Sequence, residues 1–362
     1  MMKRILFSIG TLVGGGAERV VAIWASTLAN MGYDIALYMS VRYENEYGVD
    51  ERVKIDSVAQ SQDEYRQLSR LERFRRHRAF IKNFKPDVII NFLPGTQIKM
   101  LLISMGIKGR RIETVRNNPW IDTDIGKKRP LWNLCFKKAD AIIVQTDEQL
   151  EYFSLKEQKK CVVIHNPLAE DCRNTLRTDY PKKATRFMAA GRLNYQKNFP
   201  MLIEAFARVA AKDNDIYLDI FGNGSEEFTT QLQDCIDKSG FASRITLKGR
   251  TNDICGALMQ HDCFVLSSDY EGMPNVLAEA MATGIVCIST DCKTGPCDMI
   301  QNGQNGYLVK TGDVDSMAEA IEKVVAMTGD QCNKMGSLAR KNILELCDDD
   351  VNIKKLIDVI EG

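Results

Sequence analysis

Apolar residues alternate between two patterns along the chain. Short apolar runs at 3–11, 34–41 and 87–94 are typical of buried strands. Between them, at 16–32 and 63–84, apolar residues recur every three or four positions, which is the period of an amphipathic helix. Strands that alternate with helices predict a parallel sheet covered by helices on both faces.

This alternation is interrupted once, at residues 166–184, where Asn-Pro and Tyr-Pro pairs replace the periodic pattern. A second strand–helix series begins at residue 186, and 362 residues are too many for one hydrophobic core. We therefore predict an α/β protein of two Rossmann-like, doubly wound domains, 1–166 and 185–349, facing each other across a cleft. The linker is predicted at 167–184, and a last helix near 350–362 is expected to pack back on the first domain.

Composition narrows the class of protein further. No apolar run reaches the roughly 20 residues that span a bilayer, and the basic, apolar start leads directly into a helix pattern. We interpret that start as a strand rather than a signal peptide. The 11 cysteines lack regular spacing and the three histidines form no ligand pair. These features predict a cytoplasmic protein with reduced thiols and no zinc site.

A net charge of zero conceals an excess of basic residues in the first half. Residues 1–180 carry 29 Lys and Arg against 22 Asp and Glu, and eight of these cations fall within 66–85: Arg66, Arg70, Arg73, Arg75, Arg76, Arg78, Lys82 and Lys85. A solvated helix face, a nucleic-acid site and a membrane contact all carry such charge. The charged face lacks aromatic residues, which disfavours nucleic acid.

Residues 127–138 add Trp132 and Phe136 between cations, a composition typical of membrane interfaces. We expect segments 66–85 and 127–138 to dock the first domain on the anionic inner face of the cell membrane.

Residues 267–284 (SSDYEGMPNVLAEAMATG) predict a ligand-binding junction between a strand and a helix. Pro274 suits the first helical turn and Gly284 suits a helix end. Glu271 then lies in the loop at the carboxyl end of the strand, and Glu279 lies on the helix that follows. The helix N-terminus offers unpaired N–H groups to an anion. An ordinary surface turn remains the alternative.

Two cations stand at the corresponding junction at the start of the second domain. Arg192 and Lys197 follow a predicted strand and precede a helix, where they oppose the helix dipole and suit a diphosphate. Gly222 and Gly224 follow the next strand, and Arg250 follows the one after it. Solvated surface charge is the alternative for the two cations.

Three glycines, Gly14, Gly15 and Gly16, open the first helix. The dinucleotide fingerprint fails because Arg19 occupies its last glycine position, and no Walker A motif occurs. The glycines suit either a loop that touches a phosphate or sugar, or a purely structural turn. Three Asp-x-Asp matches, at 122–124, 213–215 and 313–315, are interpreted as turns and caps rather than metal ligands.

The motifs GRLNYQKN, GNG, EGMPNVLAEAMATG, TGPCDMI and NGYLV, in this order, resemble those of the retaining glycosyltransferases of family 4, which have the GT-B fold. The loop GGGAERV fits the same pattern, so the resemblance covers nearly the whole chain. It implies a nucleotide-sugar donor held mainly by the second domain and an acceptor held mainly by the first.

The resemblance also implies roles for single residues. Arg192 and Lys197 would stabilise the donor diphosphate without a metal, Glu279 would hold the ribose, and Glu271 would bind the donor sugar. The other donor-binding residues implied are Gly15, Gly16, Arg116, Gly222, Gly224, Arg250, Gly272, Met273, Pro274, Asn275 and Val276. Arg116 stands where many relatives carry a histidine, and an ordinary strand-end residue is its alternative.

The predicted function is transfer, with retention, of a hexose or N-acetylhexosamine from a nucleotide-diphosphate sugar to a glycan or polyprenyl-linked acceptor in surface polysaccharide synthesis. A UDP-sugar is the expected donor, and a GDP-sugar is the alternative. No cofactor or metal is expected. A nucleotide-sugar epimerase on the same fold and a non-catalytic sugar-nucleotide or glycan-binding protein are the alternatives.

Overall fold

The structure, a computed structural model, describes residues 2–121 and 125–362. Its contacts divide the chain into two units, the first comprising residues up to Pro167 together with Asp349–Gly362 and the second comprising Leu168–Asp348. Within the described residues, no helix is long and apolar enough to cross a membrane. The predicted turn at 122–124 lies outside the described residues.

The first unit contains seven strands: β1 (Arg4–Ile9), β2 (Asp34–Val41), β3 (Lys54–Ala59), β4 (Val88–Asn91), β5 (Arg110–Thr114), β6 (Ala141–Val144) and β7 (Cys161–Val163). Its helices, numbered along the whole chain, are α1 (Gly16–Asn30), α2 (Gln62–Gln67), α3 (Arg70–Phe84), α4 (Pro94–Ile103), α5 (Arg129–Lys138), α6 (Leu155–Gln158) and α15 (Asp349–Glu361). All strand pairs are parallel, in the order β3-β2-β1-β4-β5-β6-β7.

The second unit contains six strands: β8 (Arg186–Ala190), β9 (Tyr217–Phe221), β10 (Ile245–Gly249), β11 (Cys263–Leu266), β12 (Val286–Thr290) and β13 (Tyr307–Val309). Its helices are α7 (Glu170–Asn174), α8 (Phe199–Ala210), α9 (Glu226–Ser239), α10 (Ile254–Met259), α11 (Asn275–Thr283), α12 (Pro296–Met299), α13 (Val314–Val325) and α14 (Gly329–Leu346). This sheet is also fully parallel, in the order β10-β9-β8-β11-β12-β13.

Both sheets are doubly wound, since strand order reverses at β1 and β8, and their central strands are buried on both faces. The predicted fold class of two Rossmann-like domains is confirmed. The last helix, α15, completes the first unit, because Leu356, Val359 and Ile360 join its core and Asn352 Oδ1 accepts a hydrogen bond from the His165 N–H at 3.1 Å.

Of the segment predicted as a linker, 167–184, Pro167 belongs to the first unit and residues 168–184 belong to the second. It contains α7, which packs on α11, and Arg173 Nη2 donates to Cys347 O at 3.1 Å. Arg177 forms an ion pair of 3.2 Å with Asp262. Periodicity does not reveal this segment because its contacts are polar and distant in sequence.

The helix predicted at 63–84 is two helices. Leu68 is extended and buried between them, and Ser69 starts α3 by accepting a hydrogen bond at 3.1 Å from the Glu72 N–H. The Ser-x-x-Glu spacing at 69–72 is a capping pattern that ends one helix and begins another.

The expectation that Trp132 and Phe136 face a membrane is wrong. These side chains are 2% and 1% exposed, and Trp132 Nε1 donates to Gln97 Oε1 on α4 at 2.6 Å. Their rings pack edge to face, 4.7 Å apart, beneath α5. The exposed apolar residues of this helix are instead Leu131 and Leu134.

A row of polar side chains crosses the buried middle of the first sheet. Ser8, Asn91 and Glu113 are paired in register on β1, β4 and β5, and Asn91 Nδ2 donates to Glu113 Oε1 at 2.8 Å. Within the described residues, Glu113 Oε2 is buried with no hydrogen-bond partner. Burial raises the pKa of Glu113 from 4.5 to about 8, so this carboxyl is mostly protonated at neutral pH.

This carboxyl makes the stability of the first unit dependent on pH. Because its pKa is higher in the folded than in the unfolded chain, its contribution is complete below pH 4.5 and is lost as the pH rises through about 8. We expect Glu113→Gln, which stays neutral, to gain stability over the wild type across that range, by up to about 4 kcal/mol. Unfolding by denaturant, followed by tryptophan fluorescence, measures the stability of the first unit, because all three tryptophans lie in that unit.

The exposed Glu51→Gln variant controls for the change in net charge. A difference between Glu113→Gln and wild type that stays constant from about pH 5 to pH 9 would contradict the assignment.

Candidate functional site

An ion pair between Lys197 and Glu271 lies at the carboxyl edge of the second sheet. Lys197 ends a 3₁₀ turn, Tyr195–Lys197, in the loop after β8, and Glu271 lies in the loop after β11. Lys197 Nζ is 2.6 Å from Glu271 Oε1, and the two side chains are only 13% and 8% exposed. Because β8 and β11 are neighbours, the pair joins adjacent loops. Buried ion pairs cost desolvation energy and are more typical of binding sites than of stabilising contacts.

Further hydrogen bonds fix the position of Glu271. Ser268 Oγ donates to Glu271 Oε1 at 2.6 Å, and Gln196 Nε2 donates to Tyr270 O at 2.8 Å. The Asp269 N–H in turn donates to Gln196 O at 2.8 Å. Sequence reasoning identified neither residue. Gln196 contacts a loop 74 residues away in sequence, and the local bond of Ser268 to Glu271 depends on how that loop folds.

Glycines let these loops approach one another closely. A Cβ on Gly222 would lie 1.8 Å from Gly191 O, and a Cβ on Gly224 would lie 2.2 Å from Leu193 O. The β9 loop therefore supports the β8 loop that carries Arg192 and Lys197. The structure gives Gly222 and Gly224 a packing role; their contact with a donor stays a prediction.

The predicted helix start at Pro274 lies one residue before α11, whose first residue is Asn275. Gly272, Met273 and Pro274 are buried, whereas Asn275 and Val276 are partly exposed. The residue before this helix, Pro274, provides no side-chain cap, and the helix begins directly after the loop of Glu271. Glu279 lies one turn further along and is 2% exposed.

The two remaining predicted cations are exposed at the same sheet edge. Arg192 lies two residues after β8, and Arg250 directly follows β10. Neither forms a hydrogen bond or ion pair with any described residue. In the same loop as Arg192, Asn194 Oδ1 is buried and has no partner within the described part of the chain. These groups are available to a ligand.

The loop after β12, in which no site residue was predicted, contacts the loop of Glu271. Thr294 and Gly295 both have left-handed backbones, with φ values of 72° and 93°, and Thr294 Oγ1 donates to Glu271 O. A positive φ is strained for a β-branched residue, and such strain concentrates at functional sites. The Thr-Gly-Pro sequence at 294–296 is the signal that identifies this turn.

In the first unit, the glycine loop and Arg116 both lie at the carboxyl edge of the first sheet. Gly15 precedes α1 and Gly16 begins it; a Cβ on Gly15 would overlap Glu18 Oε2 at 1.9 Å. That atom is the far end of a flexible side chain, so the overlap alone does not require glycine at position 15. Arg116 follows β5, and its guanidinium lies 4.6 Å from the Trp24 ring centre on α1.

Two Asp-x-Asp matches have structural roles. Asp213 Oδ1 accepts from the Asp215 N–H at 3.0 Å in the turn before β9, and Asp313 Oδ1 caps α13 by accepting from the Ser316 N–H at 3.0 Å. Within residues 2–121 and 125–362, no group of His, Cys, Asp and Glu side chains is arranged to hold a metal ion.

Two family models match successive parts of the chain. Residues 14–171 match Glycosyltransferase Family 4, and residues 175–342 match Glycosyl transferases group 1. It is 27% identical over 331 residues to the amylovoran biosynthesis glycosyltransferase AmsD of Erwinia amylovora, covering 90% of this chain and 91% of AmsD. It is 24% identical to the GalNAc-α-(1→4)-GalNAc-α-(1→3)-diNAcBac-PP-undecaprenol α-1,4-N-acetyl-D-galactosaminyltransferase of Campylobacter jejuni, covering 90% and 89% of the two chains.

Solved structures share the fold at low sequence identity. TarM of S. aureus, in complex with Fondaparinux, α-GlcNAc-glycerol and UDP, superposes with a TM-score of 0.83 at 16% identity and covers all of both chains. HepE of Anabaena, in complex with UDP and glucose, has a TM-score of 0.82 at 15% identity and covers 99% of this chain and 100% of its own.

The close approach of Gly295 to the Glu271 loop gives a test of this geometry. A Cβ on Gly295 would lie 2.0 Å from Gly272 O, a backbone atom that cannot move aside easily. We expect Gly295→Ala to lower the stability of the second unit by about 3 kcal/mol or more, from steric overlap added to a left-handed backbone. Calorimetric unfolding measures this effect.

Gly303→Ala is the matched control, because Gly303 has a similar φ of 76° but open space around its Cβ position. Gly303→Ala should lower stability only by the cost of placing alanine in a left-handed backbone conformation, about 1–2 kcal/mol. Equal losses in the two variants would refute the tight packing of these loops.

Proposed function

Because the chain belongs to the glycosyltransferases of family 4, with the GT-B fold, we propose that it transfers a hexose or N-acetylhexosamine from a UDP-sugar to a glycan or lipid-linked acceptor with retention of configuration. The observation that carries the donor site is the buried Lys197–Glu271 pair beside an unpaired Arg192 and the uncapped N-terminus of α11.

The charges at this edge suit the leaving group of a glycosyl transfer. As the bond from the anomeric carbon to the diphosphate oxygen breaks, negative charge grows on the diphosphate. Lys197 uses one of its three ammonium hydrogens for Glu271 and has others to donate, while Arg192 adds a two-pronged donor. Cations fixed before the reaction stabilise the transition state more than the ground state. We expect no metal in this role.

The carboxylates hold the two ends of the donor in this proposal. Glu271, fixed by Lys197 and Ser268, accepts hydrogen bonds from the sugar hydroxyls, and Glu279 accepts those of the ribose. The backbone of Gly272–Val276 lies beside the sugar, and Gly222, Gly224 and Arg250 flank the nucleotide. In a front-face reaction, the acceptor hydroxyl bonds to the anomeric carbon and passes its proton to the departing diphosphate.

The names of relatives support the donor and acceptor classes. TarM and HepE, which share the fold, were crystallised with UDP. AmsD is named for amylovoran biosynthesis, and the Campylobacter enzyme is named for a PP-undecaprenol-linked glycan. We assign the donor to the second unit and the acceptor to the first, where Gly15 and Gly16 form a loop suited to a phosphate or sugar.

Removing either half of the buried pair should abolish transfer. We expect Lys197→Ala and Glu271→Ala each to lower turnover by more than about a hundredfold, because each removes a group that acts on the transition state. UDP release from a panel of UDP-sugars, with and without glycan acceptors, measures this effect, and UDP-induced thermal shifts report donor binding separately.

Lys212→Ala is the matched control, since Lys212 pairs with Glu322 at 2.7 Å on the exposed surface of the same unit. Removing this exposed ion pair should change turnover little. Near-wild-type turnover in Lys197→Ala or Glu271→Ala would refute the donor site. Interconversion of free UDP-sugars without acceptor would indicate an epimerase, and UDP binding without release from any UDP-sugar would indicate a binding protein.

We also propose that the first unit docks on an anionic membrane through a surface formed by α3, α4 and α5. Not all predicted cations are available: Arg76 pairs with Glu64 at 2.6 Å, and Arg73 donates to Leu68 O at 2.9 Å. Exposed cations and exposed apolar side chains on these three helices, just after α4 and in the 3₁₀ turn before α5 include Leu71, Arg75, Lys82, Leu102, Met105, Lys127, Lys128, Leu131, Leu134, Lys137 and Lys138.

The spacing on α3 places these residues on one side of the helix. Leu71, Arg75 and Lys82 are separated by four and seven positions, which is one face of an α-helix. Arg78, on the same face, donates to Ile103 O at 2.5 Å and so links α3 to the end of α4, where Leu102 and Met105 are exposed. Cations around exposed apolar side chains suit a surface of anionic lipid.

Reversing two of these charges should release the protein from vesicles. We expect Arg75→Glu/Lys82→Glu to weaken binding to phosphatidylglycerol vesicles by at least about tenfold, since each cation near the surface contributes about 1 kcal/mol. Flotation measures the bound fraction. The control, Lys238→Glu/Lys334→Glu, makes the same charge change on exposed residues of the second unit. A wild-type protein that shows no preference for anionic vesicles would refute the proposal.

A further inference from the structure

Arg116, at the carboxyl edge of the first sheet, is a cation with no counter-ion among the residues that the structure describes. Its guanidinium lies 4.6 Å from the ring centre of Trp24 and 4.7 Å from that of Phe92. Nη1 donates to Asn166 Oδ1 at 3.1 Å. The Nε and Nη2 atoms are buried and have no hydrogen-bond partner among residues 2–121 and 125–362, and no carboxylate in those ranges lies within ion-pair distance.

Two other partly buried arginines, Arg177 and Arg244, have their charge or their donors satisfied by described residues. Arg177 forms an ion pair of 3.2 Å with Asp262. Arg244 packs on the Phe241 ring, as Arg116 packs on aromatic rings, but its Nη1 atom donates to Ala210 O at 3.0 Å and to Asp213 O at 2.8 Å. Stacking on aromatic rings offsets only part of the cost of removing a guanidinium from water. Arg116 therefore bears a cost that the protein itself does not offset.

The described side chains that are linked to Arg116 by hydrogen bonds are neutral. Asn166 Oδ1 also accepts from Gln145 Nε2 at 2.8 Å, and His165 Nδ1 lies 3.0 Å from Gln145 O. Burial lowers the pKa of His165 to about 4, which leaves the ring uncharged at neutral pH. Burial likewise lowers the pKa of Arg116, but only to about 9, so its guanidinium remains charged at neutral pH.

We propose that Arg116 recognises an oxyanion, a phosphate or a carboxylate, on the ligand that the first unit binds. This inference rests on the proposed function and deepens it, since it requires the acceptor to carry a negative group. Turning the guanidinium toward an incoming anion breaks one hydrogen bond, the one to Asn166, and no ion pair. An arginine whose donors all have partners would have to break more hydrogen bonds in such a rearrangement, so an anion would bind to it less favourably.

Anion binding is measured directly with two probes at constant ionic strength: inorganic pyrophosphate for a phosphate group and glucuronate for a carboxylate. Glucose is the neutral control. Trp24 lies against the guanidinium, so its fluorescence reports occupancy, and Trp24→Phe identifies its share of the signal. We expect at least one probe to bind the wild type, and Arg116→Gln to weaken it by about tenfold or more. Arg116→Lys should retain part of the affinity.

Stability separates recognition from a structural role. Arg116→Gln should leave the unfolding midpoint of the ligand-free protein unchanged or raise it, because it removes an unpaired buried charge. The stacked but paired Arg244→Gln should lower the midpoint, because it strands backbone carbonyls. Equal destabilisation by the two variants would overturn the proposal.

The Lys197→Ala variant distinguishes this inference from the donor site. Probe binding lost in Arg116→Gln and kept in Lys197→Ala supports an anion site in the first unit. The opposite pattern means that the probe occupies the donor site, and it overturns the inference while leaving the proposed function intact. Failure of both probes to bind the wild type also overturns it. Transfer that persists in Lys197→Ala and Glu271→Ala would instead reject the proposed function.

Discussion

The buried ion pair between Lys197 and Glu271 is the interaction on which the candidate site of the second unit depends. It connects loops after two adjacent parallel strands, and the hydrogen bonds of Ser268, Gln196 and Thr294 exist around it. A lysine at this edge opposes the dipole of the helix that follows, so it contributes little to helix stability. A lysine at this position is explained if its charge binds a ligand. The N-terminus of α11 and Arg192 lie at the same edge of the sheet and suit the same ligand.

In the first unit, by contrast, two buried ionisable groups are not held in an ion pair with a described residue. The buried carboxyl of Glu113 is kept largely neutral, because burial raises its pKa to about 8. The guanidinium of Arg116 has no carboxylate beside it among residues 2–121 and 125–362. A protein interior tolerates an ionisable group either by neutralising it or by pairing it. Arg116 satisfies neither condition, and this exception directs attention to a ligand rather than to the fold.

Local sequence signals accounted for most of the architecture. Apolar runs and helical periods predicted two parallel sheets, since a strand buried on both faces must be apolar throughout. The Glu271 and Glu279 junction was also visible, because Pro274 and Gly284 mark the bounds of α11 within one residue. The break between α2 and α3 was missed although Ser69 and Glu72 carry its capping pattern, because the apolar period continues across it.

What the tertiary structure alone decided is which polar groups meet and which side chains are exposed. Composition placed Trp132 at a membrane, but packing of α5 on α4 buries it and exposes Leu131 instead. Likewise, the sequence supplied Lys197 and Glu271 as separate candidates 74 residues apart, and only the pairing of β8 with β11 brings them within 2.6 Å. Periodicity is a local property of the chain, whereas contacts and burial are set by the register of distant strands.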